Sequence, residues 1–348
     1  MDVRAYAAPT AKAPLEPTVI QRRELGPNDV LIDIKFSGVC HSDIHQARDE
    51  WGGASFPMVP GHEIAGVISA IGSDVTLFAV GDLAGIGCFV DSCRECDNCK
   101  AGEESYCTKG ASWTYNAVMQ DGVTPTLGGY SQAIVADENY VLRLPSNLGL
   151  DVTAPLMCAG ITLYQPLRVW SAGPGVRVGI VGLGGLGHMG VKLAKAMGAD
   201  VTLISHSPSK EEDAYRLGAS SFLLSSDRAA MKSARESLDL IVNTASAITN
   251  VDPFMNLLAL DGTLVSVGLP DAPLSLSGFT LIGQRRRLAG SNNGSIRMTQ
   301  EMLDFCGEHG VGADIETIAI QDANAAWDRV VASDVKYRFV IDIASLGD

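Results

Sequence analysis

The pattern of hydrophobic and polar positions changes midway along the chain, and the change predicts two kinds of architecture. Up to about residue 155 the hydrophobic positions form short β-branched runs, such as residues 30–36 and 66–72, which Gly, Pro and Asp separate. Runs of this length between turn residues are typical of strands. The first part of the chain is therefore predicted to be a β-rich domain of short strands.

From residue 176 onward, strand-like and helix-like segments alternate. Strands are predicted at residues 176–181, 201–204, 238–242 and 264–267, with one helix that ends near Met197 and another over residues 210–217. This alternation indicates an α/β fold with a doubly wound parallel sheet. A last strand at residues 337–343 is expected to return to the first domain.

Composition and charge narrow the class of protein. The chain has 348 residues, which exceeds the size at which one hydrophobic core stops growing, so two domains are expected. Hydrophobic residues make up 46% of the chain, which favours a globular protein. The net charge of -14 argues against nucleic acid as a partner, because phosphate binding needs clustered cations.

The sequence also carries information about location. The N-terminal residues contain no charged segment followed by an apolar one, so no secretory signal is predicted and a cytoplasmic location is expected. No run of about eighteen apolar residues occurs, so no membrane-spanning helix is expected.

Four of the eight cysteines lie in one short loop with C-x2-C-x2-C-x7-C spacing, and they are Cys93, Cys96, Cys99 and Cys107. Four thiolates at such spacing can close a tetrahedral shell around zinc, which predicts a structural zinc site. Two disulfides are the alternative, and the expected reducing compartment disfavours them.

A glycine-rich loop between the first predicted strand and helix of the second domain matches G-x-G-x-x-G. Glycines there allow a sharp turn and let backbone N–H groups approach a pyrophosphate at the helix N-terminus. A glycine-rich turn without a ligand is the alternative, and the flanking strand and helix disfavour it. The predicted dinucleotide-binding residues are Gly182, Leu183, Gly184, Gly185, Leu186 and Gly187.

The choice of cofactor depends on the residues that end the next strand. An Asp or Glu there would bind the ribose of NAD and repel a 2′-phosphate. This chain has no acid at that end and instead carries Ser205, His206, Ser207 and, further on, Lys210. Hydroxyls and cations suit a phosphate better than a diol, so NADP(H) is predicted over NAD.

Three residues outside the cysteine-rich loop predict a second metal site: Cys40, His62 and Cys158. Each has an ordinary interpretation alone, since isolated cysteines are more often small hydrophobes and isolated histidines more often surface or core residues. Together they offer two thiolates and an imidazole. Three protein ligands leave a fourth position open, as catalytic zinc requires.

These features resemble the zinc-dependent medium-chain alcohol dehydrogenases over essentially the whole chain. Within that family the chain is similar to the cinnamyl alcohol dehydrogenase-like branch, which reduces aldehydes with NADPH. The motifs that carry the resemblance are residues 40–43, 61–63, 93–107, 158–162, 182–188 and 290–295. The resemblance implies a GroES-like catalytic domain (residues 1–155 and 293–348), a Rossmann domain (residues 156–292), two zinc ions per chain, a cleft between the domains and a homodimer.

The resemblance also implies roles at the second metal site. Cys40, His62 and Cys158 would hold the catalytic zinc, and Glu63 would approach the metal when the bound water leaves. Asp43 would hydrogen-bond His62 and fix its tautomer. In the alternative interpretation, Glu63 is only a structural carboxylate.

Further roles concern the proton and the cofactor. Ser42 would contact the substrate oxygen, and His45 would carry protons to solvent through the cofactor ribose. Several of the positions that match the family's cofactor contacts are also ordinary turn and cap residues, which leaves an incidental role open. The remaining matched positions are Ser42, Thr162, Thr244, Gly268, Ser291, Asn292, Asn293 and Arg338.

The implied activity is zinc-dependent interconversion of primary alcohols and aldehydes by hydride transfer with NADP(H). Trp51, Phe56 and Trp113 lie near the motifs and favour aromatic or medium-chain aliphatic substrates, although such rings also serve packing. One alternative is an NAD-dependent polyol or secondary-alcohol dehydrogenase, which would carry an acid after the second strand. Another is a catalytically silent NADPH-binding protein that keeps only the structural zinc.

Overall fold

A computed structural model describes residues 1–270 and 272–347. The strands are β1 (Asp2–Ala7), β2 (Glu16–Gln21), β3 (Asp29–Gly38), β4 (Ile64–Ile71), β5 (Leu83–Ile86), β6 (Phe89–Asp91), β7 (Ser112–Trp113), β8 (Ala133–Asp137), β9 (Leu142–Arg143), β10 (Arg177–Val181), β11 (Asp200–Ser205), β12 (Ser221–Leu224), β13 (Leu238–Asn243), β14 (Leu258–Ser266), β15 (Arg287–Gly290), β16 (Ile315–Ala319) and β17 (Arg338–Asp342).

The α-helices are α1 (His41–Ala47), α2 (Asp97–Lys100), α3 (Leu150–Thr153), α4 (Ala159–Val169), α5 (Gly187–Ala196), α6 (Glu211–Leu217), α7 (Arg228–Ser233), α8 (Asp252–Met255), α9 (Gly278–Ile282), α10 (Ile296–His309) and α11 (Ala323–Val331). Short 3-10 helices lie at Glu104–Tyr106, Glu138–Tyr140, Ala154–Met157, Pro208–Lys210, Ile320–Asp322 and Ile343–Leu346.

The chain divides into two compact units. The first comprises Met1–Ile161 and Asn293–Asp348, and the second comprises Thr162–Asn292. The predicted boundaries lie after residue 155 and before residue 293.

The first unit is built on a seven-stranded sheet with the order β16-β17-β3-β4-β5-β9, to which β8 adds by pairing with β3. Strand β3 is central, and its buried side chains alternate along the chain as Val30, Ile32 and Ile34. This period of two is what one apolar face of a sheet requires. The C-terminal strand β17 pairs antiparallel with β3, so the end of the chain lies in the first unit as expected.

The second unit contains a six-stranded parallel sheet in the order β12-β11-β10-β13-β14-β15. Within this sheet, the first strand in sequence is the central strand β10. Strands β11 and β12 follow on one side of it, and β13, β14 and β15 follow on the other, which is the doubly wound arrangement. Strand β10 is buried over Val178, Ile180 and Val181, the continuous apolar run expected of a strand covered on both faces. The predicted α/β fold class is confirmed.

One buried arginine in the first unit holds a loop next to the predicted second metal site. Arg22 Nε donates to the carbonyl of Ala133 at 2.9 Å, and its terminal nitrogens donate to the carbonyls of Leu127 at 2.6 Å and Gly128 at 2.7 Å. The loop in turn pairs with residues 59–61, since Gly128 N–H donates to the carbonyl of Val59. Arg22 therefore fixes the backbone that leads into residue 62.

Within residues 1–270 and 272–347, no helix has the length and apolar character needed to cross a membrane.

Replacing this arginine tests the role of the guanidinium. Arg22→Met keeps the length of the side chain but removes the guanidinium that donates to three carbonyls, two of them in buried contacts, so the free energy of unfolding should fall by about 3 kcal/mol. Arg235→Met is the control, because Arg235 is exposed and such a change should stay within about 0.5 kcal/mol. Denaturant unfolding of both variants measures the difference, and equal losses would contradict the interpretation.

Candidate metal centres and dinucleotide loop

The residues predicted for the second metal site come together in the first unit. The ligand atoms of Cys40, His62, Glu63 and Cys158 all lie within 4.8 Å of one another, and all four residues are buried. The sulfurs of Cys40 and Cys158 are 3.9 Å apart. Two thiolates of a tetrahedral shell with Zn–S bonds of about 2.3 Å would stand about 3.8 Å apart. The donor set and its spacing therefore fit a zinc ion.

Asp43 organises this cluster from the first turn of α1. Its carboxylate accepts hydrogen bonds from the backbone N–H of Cys40 at 2.9 Å and of Gly61 at 3.1 Å. It also lies 3.1 Å from Nδ1 of His62 and accepts a bond from the hydroxyl of Tyr130 at 3.5 Å. A carboxylate on Nδ1 fixes the tautomer that leaves Nε2 of His62 free for a metal.

Glu63 and Arg338 form an ion pair inside the first unit. The exposed fractions of their side chains are 0% and 5%, and Arg338 Nη2 donates to Oε1 of Glu63. The second oxygen, Oε2, has no hydrogen-bond partner among the described residues. An added Cβ at Gly38 would lie 1.9 Å from this oxygen, so only glycine makes room for it. The predicted contact between Arg338 and a pyrophosphate stays a prediction.

The contacts within the cluster shift the pKa values of its proposed ligands in different directions. The hydrogen bond from the thiol of Cys158 lowers the pKa of Cys40 well below its usual value, although burial opposes the shift. The same contact raises the pKa of Cys158. Burial alone would lower the pKa of His62, but the charge and hydrogen bond of Asp43 raise it overall. Negative charge is therefore stabilised on the sulfur of Cys40.

Sequence reasoning missed one thiol beside this cluster. Cys88 is buried, packs in the same apolar cluster as Cys40 and Cys158, and donates to the carbonyl of Met157 at 3.6 Å. A single cysteine at the end of an apolar run is usually a core residue, so the sequence contained no signal for this placement.

The four cysteines of the cysteine-rich loop form a second cluster, which we call the cysteine lobe. The sulfurs of Cys93, Cys96, Cys99 and Cys107 lie within 4.8 Å of one another, and those of Cys93 and Cys99 are 3.8 Å apart. The backbone N–H of Cys96 donates to the sulfur of Cys93 at 3.4 Å, and that of Cys99 donates to the sulfur of Cys96 at 3.4 Å. These bonds stabilise thiolates, and the geometry fits a closed zinc shell.

Ser42 and His45 lie three residues apart on α1, which places them on one face of the helix next to Cys40. The sulfur of Cys40 lies 3.7 Å from Oγ of Ser42. Nδ1 of His45 contacts the carboxylate of Glu50, and its ring stacks on Trp51 with centroids 5.0 Å apart. A side chain held in this way keeps Nε2 available for proton exchange.

The glycine loop of the second unit follows β10 and opens α5. Gly182 has φ +92, a conformation that side chains other than glycine rarely adopt. An added Cβ at Gly187 would lie 2.0 Å from the carbonyl of Gly182, whereas at Gly184 it would meet open space. A pyrophosphate-binding loop needs one glycine for the sharp turn, one where the backbone stays accessible and one for close packing. Gly182, Gly184 and Gly187 have these three properties in that order. The loop therefore fits a dinucleotide.

The residues predicted to contact the 2′-phosphate follow directly after β11, and that contact stays a prediction. Ser205 ends β11 and its Oγ accepts the N–H of Ser207 at 3.2 Å. His206 is exposed, and Lys210 closes the short 3-10 helix that follows. No acidic side chain occupies the end of this strand.

The other predicted cofactor residues are spread over several segments. Thr244 follows β13 and donates to the carbonyl of Val181 at 2.7 Å, while Gly268 packs against the backbone of Thr244 and Ala245. Thr162 is buried in α4. The remaining positions follow β15, and they are Ser291, Asn292 and Asn293. Their contacts with a cofactor stay predictions.

Comparison with known proteins gives consistent matches. Residues 26–146 match the alcohol dehydrogenase GroES-like domain, and residues 185–308 match the zinc-binding dehydrogenase family. An NADP-dependent alcohol dehydrogenase C of Mycobacterium tuberculosis is 58% identical over 344 residues, 99% of each chain. A cinnamyl alcohol dehydrogenase structure from Sorghum bicolor has a TM-score of 0.95 at 46% identity, covering 99% of this chain and 98% of its own. A second from Helicobacter pylori, complexed with NADP(H), has a TM-score of 0.92 at 40% identity with the same coverage.

The contacts of Asp43 predict how strongly the cluster of Cys40, His62 and Cys158 binds its metal. Asp43→Asn removes the charge that holds His62, so zinc affinity at this cluster should fall by about 10-fold to 100-fold. Zinc retained per chain during dialysis against graded chelator measures the change, and the zinc of the cysteine lobe should be unaffected. Asp33→Asn is the control, because Asp33 lies on β3 and bonds Ser69 instead. Equal zinc retention in both variants would show that Asp43 does not act on the metal site.

Proposed function

The chain belongs to the zinc-dependent medium-chain alcohol dehydrogenases, in the cinnamyl alcohol dehydrogenase-like branch, and on that premise we propose that it interconverts primary alcohols and aldehydes with NADP(H). The observation that carries the proposal is the convergence of Cys40, His62 and Cys158 in one buried cluster. Three protein ligands with a free fourth position distinguish a catalytic zinc site from a structural one.

Each unit has a distinct proposed role. The first unit is the catalytic domain and holds both zinc ions, one at the cluster of Cys40, His62 and Cys158 and one at the cysteine lobe. The second unit binds the dinucleotide through the loop at residues 182–187. Zinc, when bound, supplies a Lewis acid for the substrate oxygen, and the nicotinamide supplies or accepts the hydride.

The chain's own side chains handle the proton. Asp43 keeps His62 oriented toward the metal, while Ser42 exchanges a proton with the substrate oxygen. His45 passes that proton to solvent, which its partly exposed ring permits, and Glu50 and Trp51 hold the ring in place. General acid–base transfer of this kind needs groups within hydrogen-bond reach of one another in the substrate complex.

The substrate preference is proposed from two exposed aromatic rings. Trp51 and Trp113 of the first unit are 46% and 38% exposed, which leaves much of each ring available to an apolar substrate. The solved cinnamyl alcohol dehydrogenases at 46% and 40% identity support aromatic substrates. Aromatic and medium-chain aliphatic aldehydes are therefore the proposed substrates.

The proposed assembly is a homodimer in the cytoplasm. The second unit exposes large apolar side chains, and a second copy of the chain would cover them. These are Leu260 at 60%, Leu269 at 66%, Phe279 at 83% and Ile282 at 72%. The thiolate ligands of both clusters need a reducing compartment, which supports the cytoplasm.

Aldehyde reduction is tested by a steady-state panel. With NADPH, cinnamaldehyde-like and medium-chain aliphatic aldehydes should give a higher kcat/KM than polyols give in the oxidative direction. Cys40→Ser should lower kcat/KM by about 100-fold or more and leave one zinc per chain, since only the cysteine lobe keeps its ligands.

Cys306→Ala is the matched control, because Cys306 is buried in α10 and belongs to neither cluster. It should keep both zinc ions and activity. Faster turnover of polyols would favour the polyol dehydrogenase alternative. A wild-type chain with one zinc that survives Cys40→Ser would favour the catalytically silent alternative.

The preference for NADP(H) is tested at the end of β11. Ser205→Asp places a negative charge where the 2′-phosphate is proposed to bind, so the ratio of kcat/KM for NADPH to that for NADH should fall by about 10-fold to 100-fold. Ser220→Asp makes the same charge change beside Val201, at the opposite end of β11, and should leave the ratio unchanged. A wild-type preference for NADH would overturn the assignment.

A further inference from the structure

Cys99 differs from its neighbours in the cysteine lobe. It is buried, whereas Cys93, Cys96 and Cys107 are partly exposed. A thiolate in a buried position loses the solvation that water gives to an exposed one, so its charge depends on hydrogen bonds from the protein. The sulfurs of Cys93 and Cys96 each receive a hydrogen bond from a backbone N–H group, which no substitution of a side chain removes.

The sulfur of Cys99 receives a hydrogen bond from the backbone N–H of Arg94, and it also has a buried side-chain hydroxyl next to it. Oγ of Ser92 lies 3.2 Å from this sulfur and 2.8 Å from the hydroxyl of Tyr140. The exposed fractions of Ser92 and Tyr140 are 1% and 3%, so water does not compete for these contacts. The three groups form one buried chain of hydrogen bonds that ends at a proposed zinc ligand.

Metal binding would determine which group donates in each of these hydrogen bonds. A zinc-bound Cys99 is a thiolate and can only accept a hydrogen bond. The hydroxyl of Ser92 has one proton, which it must then donate to the sulfur of Cys99. Its oxygen is left to accept, and the phenol of Tyr140 supplies that donor.

Tyr140 is anchored outside the cysteine lobe. Its ring meets Phe89 edge to face with centroids 6.1 Å apart, and the guanidinium of Arg94 lies 4.9 Å from its centroid. Arg94 is held by Asp91 at 2.8 Å and Asp137 at 2.9 Å. The ring of Tyr140 is therefore held by Phe89 and Arg94, and these contacts fix the position from which its hydroxyl donates.

We propose that Ser92 and Tyr140 are positioning residues for the structural zinc, donating in series to the thiolate of Cys99 and tightening the binding of the metal. This inference rests on the proposed zinc site of the cysteine lobe. It assigns to two residues outside the cysteine motif a share of the lobe's affinity for zinc.

The test uses the full chain with Cys40→Ser, so that the zinc measured belongs to the cysteine lobe. Adding Ser92→Ala should weaken zinc binding by about 10-fold to 100-fold in competition with a chelator. Adding Tyr140→Phe should weaken it by a smaller factor, because Ser92 can still donate to the sulfur.

A spectroscopic readout separates hydrogen bonding from general destabilisation. With Co²⁺ in place of zinc, loss of a donor to Cys99 raises the energy of the sulfur electrons. The thiolate-to-metal charge-transfer band should therefore move to longer wavelength in Ser92→Ala. Ser105→Ala is the matched control, since Ser105 is a buried serine of the lobe whose hydroxyl has no hydrogen-bond partner among the described residues. It should shift neither the affinity nor the band.

The possible outcomes distinguish failure of this inference from failure of the proposed zinc site in the cysteine lobe. A Cys40→Ser chain that binds no zinc would overturn the assignment of the cysteine lobe, and this inference with it. A chain that binds zinc equally well with Ser92 or alanine, with an unmoved band, would overturn the inference alone. Equal effects of Ser92→Ala and Ser105→Ala would also overturn it.

Discussion

The buried carboxylate of Asp43 is the constraint on which the metal site of Cys40, His62 and Cys158 depends. It has no exposed surface, and it gathers the N–H of Cys40, the N–H of Gly61 and the imidazole of His62 around two oxygens. A buried charge without such partners would be costly, so these segments cannot separate without exposing it. One side chain thereby joins the start of α1 to the loop before β4 and positions two of the three proposed zinc ligands.

The contacts of Asp43 require the backbone at Gly61 to lie very close to the loop at residues 128–130. Gly61 has φ +104, and an added Cβ there would lie 2.7 Å from the ring of Tyr130 and 2.9 Å from the backbone of Gly129. The loop at residues 128–130 bonds to the backbone of residues 59–61, and Arg22 holds that loop from the other side. The position of His62 therefore depends on backbone contacts with residues that are far from it in sequence, such as Arg22 and residues 128–130.

Features carried by local pattern were predictable from the sequence. The parallel sheet followed from buried runs such as β10, and the glycine loop from its place between a strand and a helix. Features that join distant residues had no local signal. Glu63 and Arg338 are 275 positions apart, and nothing near either residue predicts their ion pair. The contact of Ser92 with Tyr140 spans 48 positions and was missed for the same reason.

The two metal clusters differ in charge in a way that matches their proposed roles. Two thiolates and a neutral imidazole would balance a divalent cation, and Arg338 offsets the charge of Glu63, so the buried cluster could accept a substrate oxygen without first overcoming net negative charge. Four thiolates leave a net negative charge on the closed shell, and three of those cysteines are partly exposed, where water screens it. The fourth, Cys99, is buried, and the proposed hydrogen bond from Ser92 would offset part of its charge.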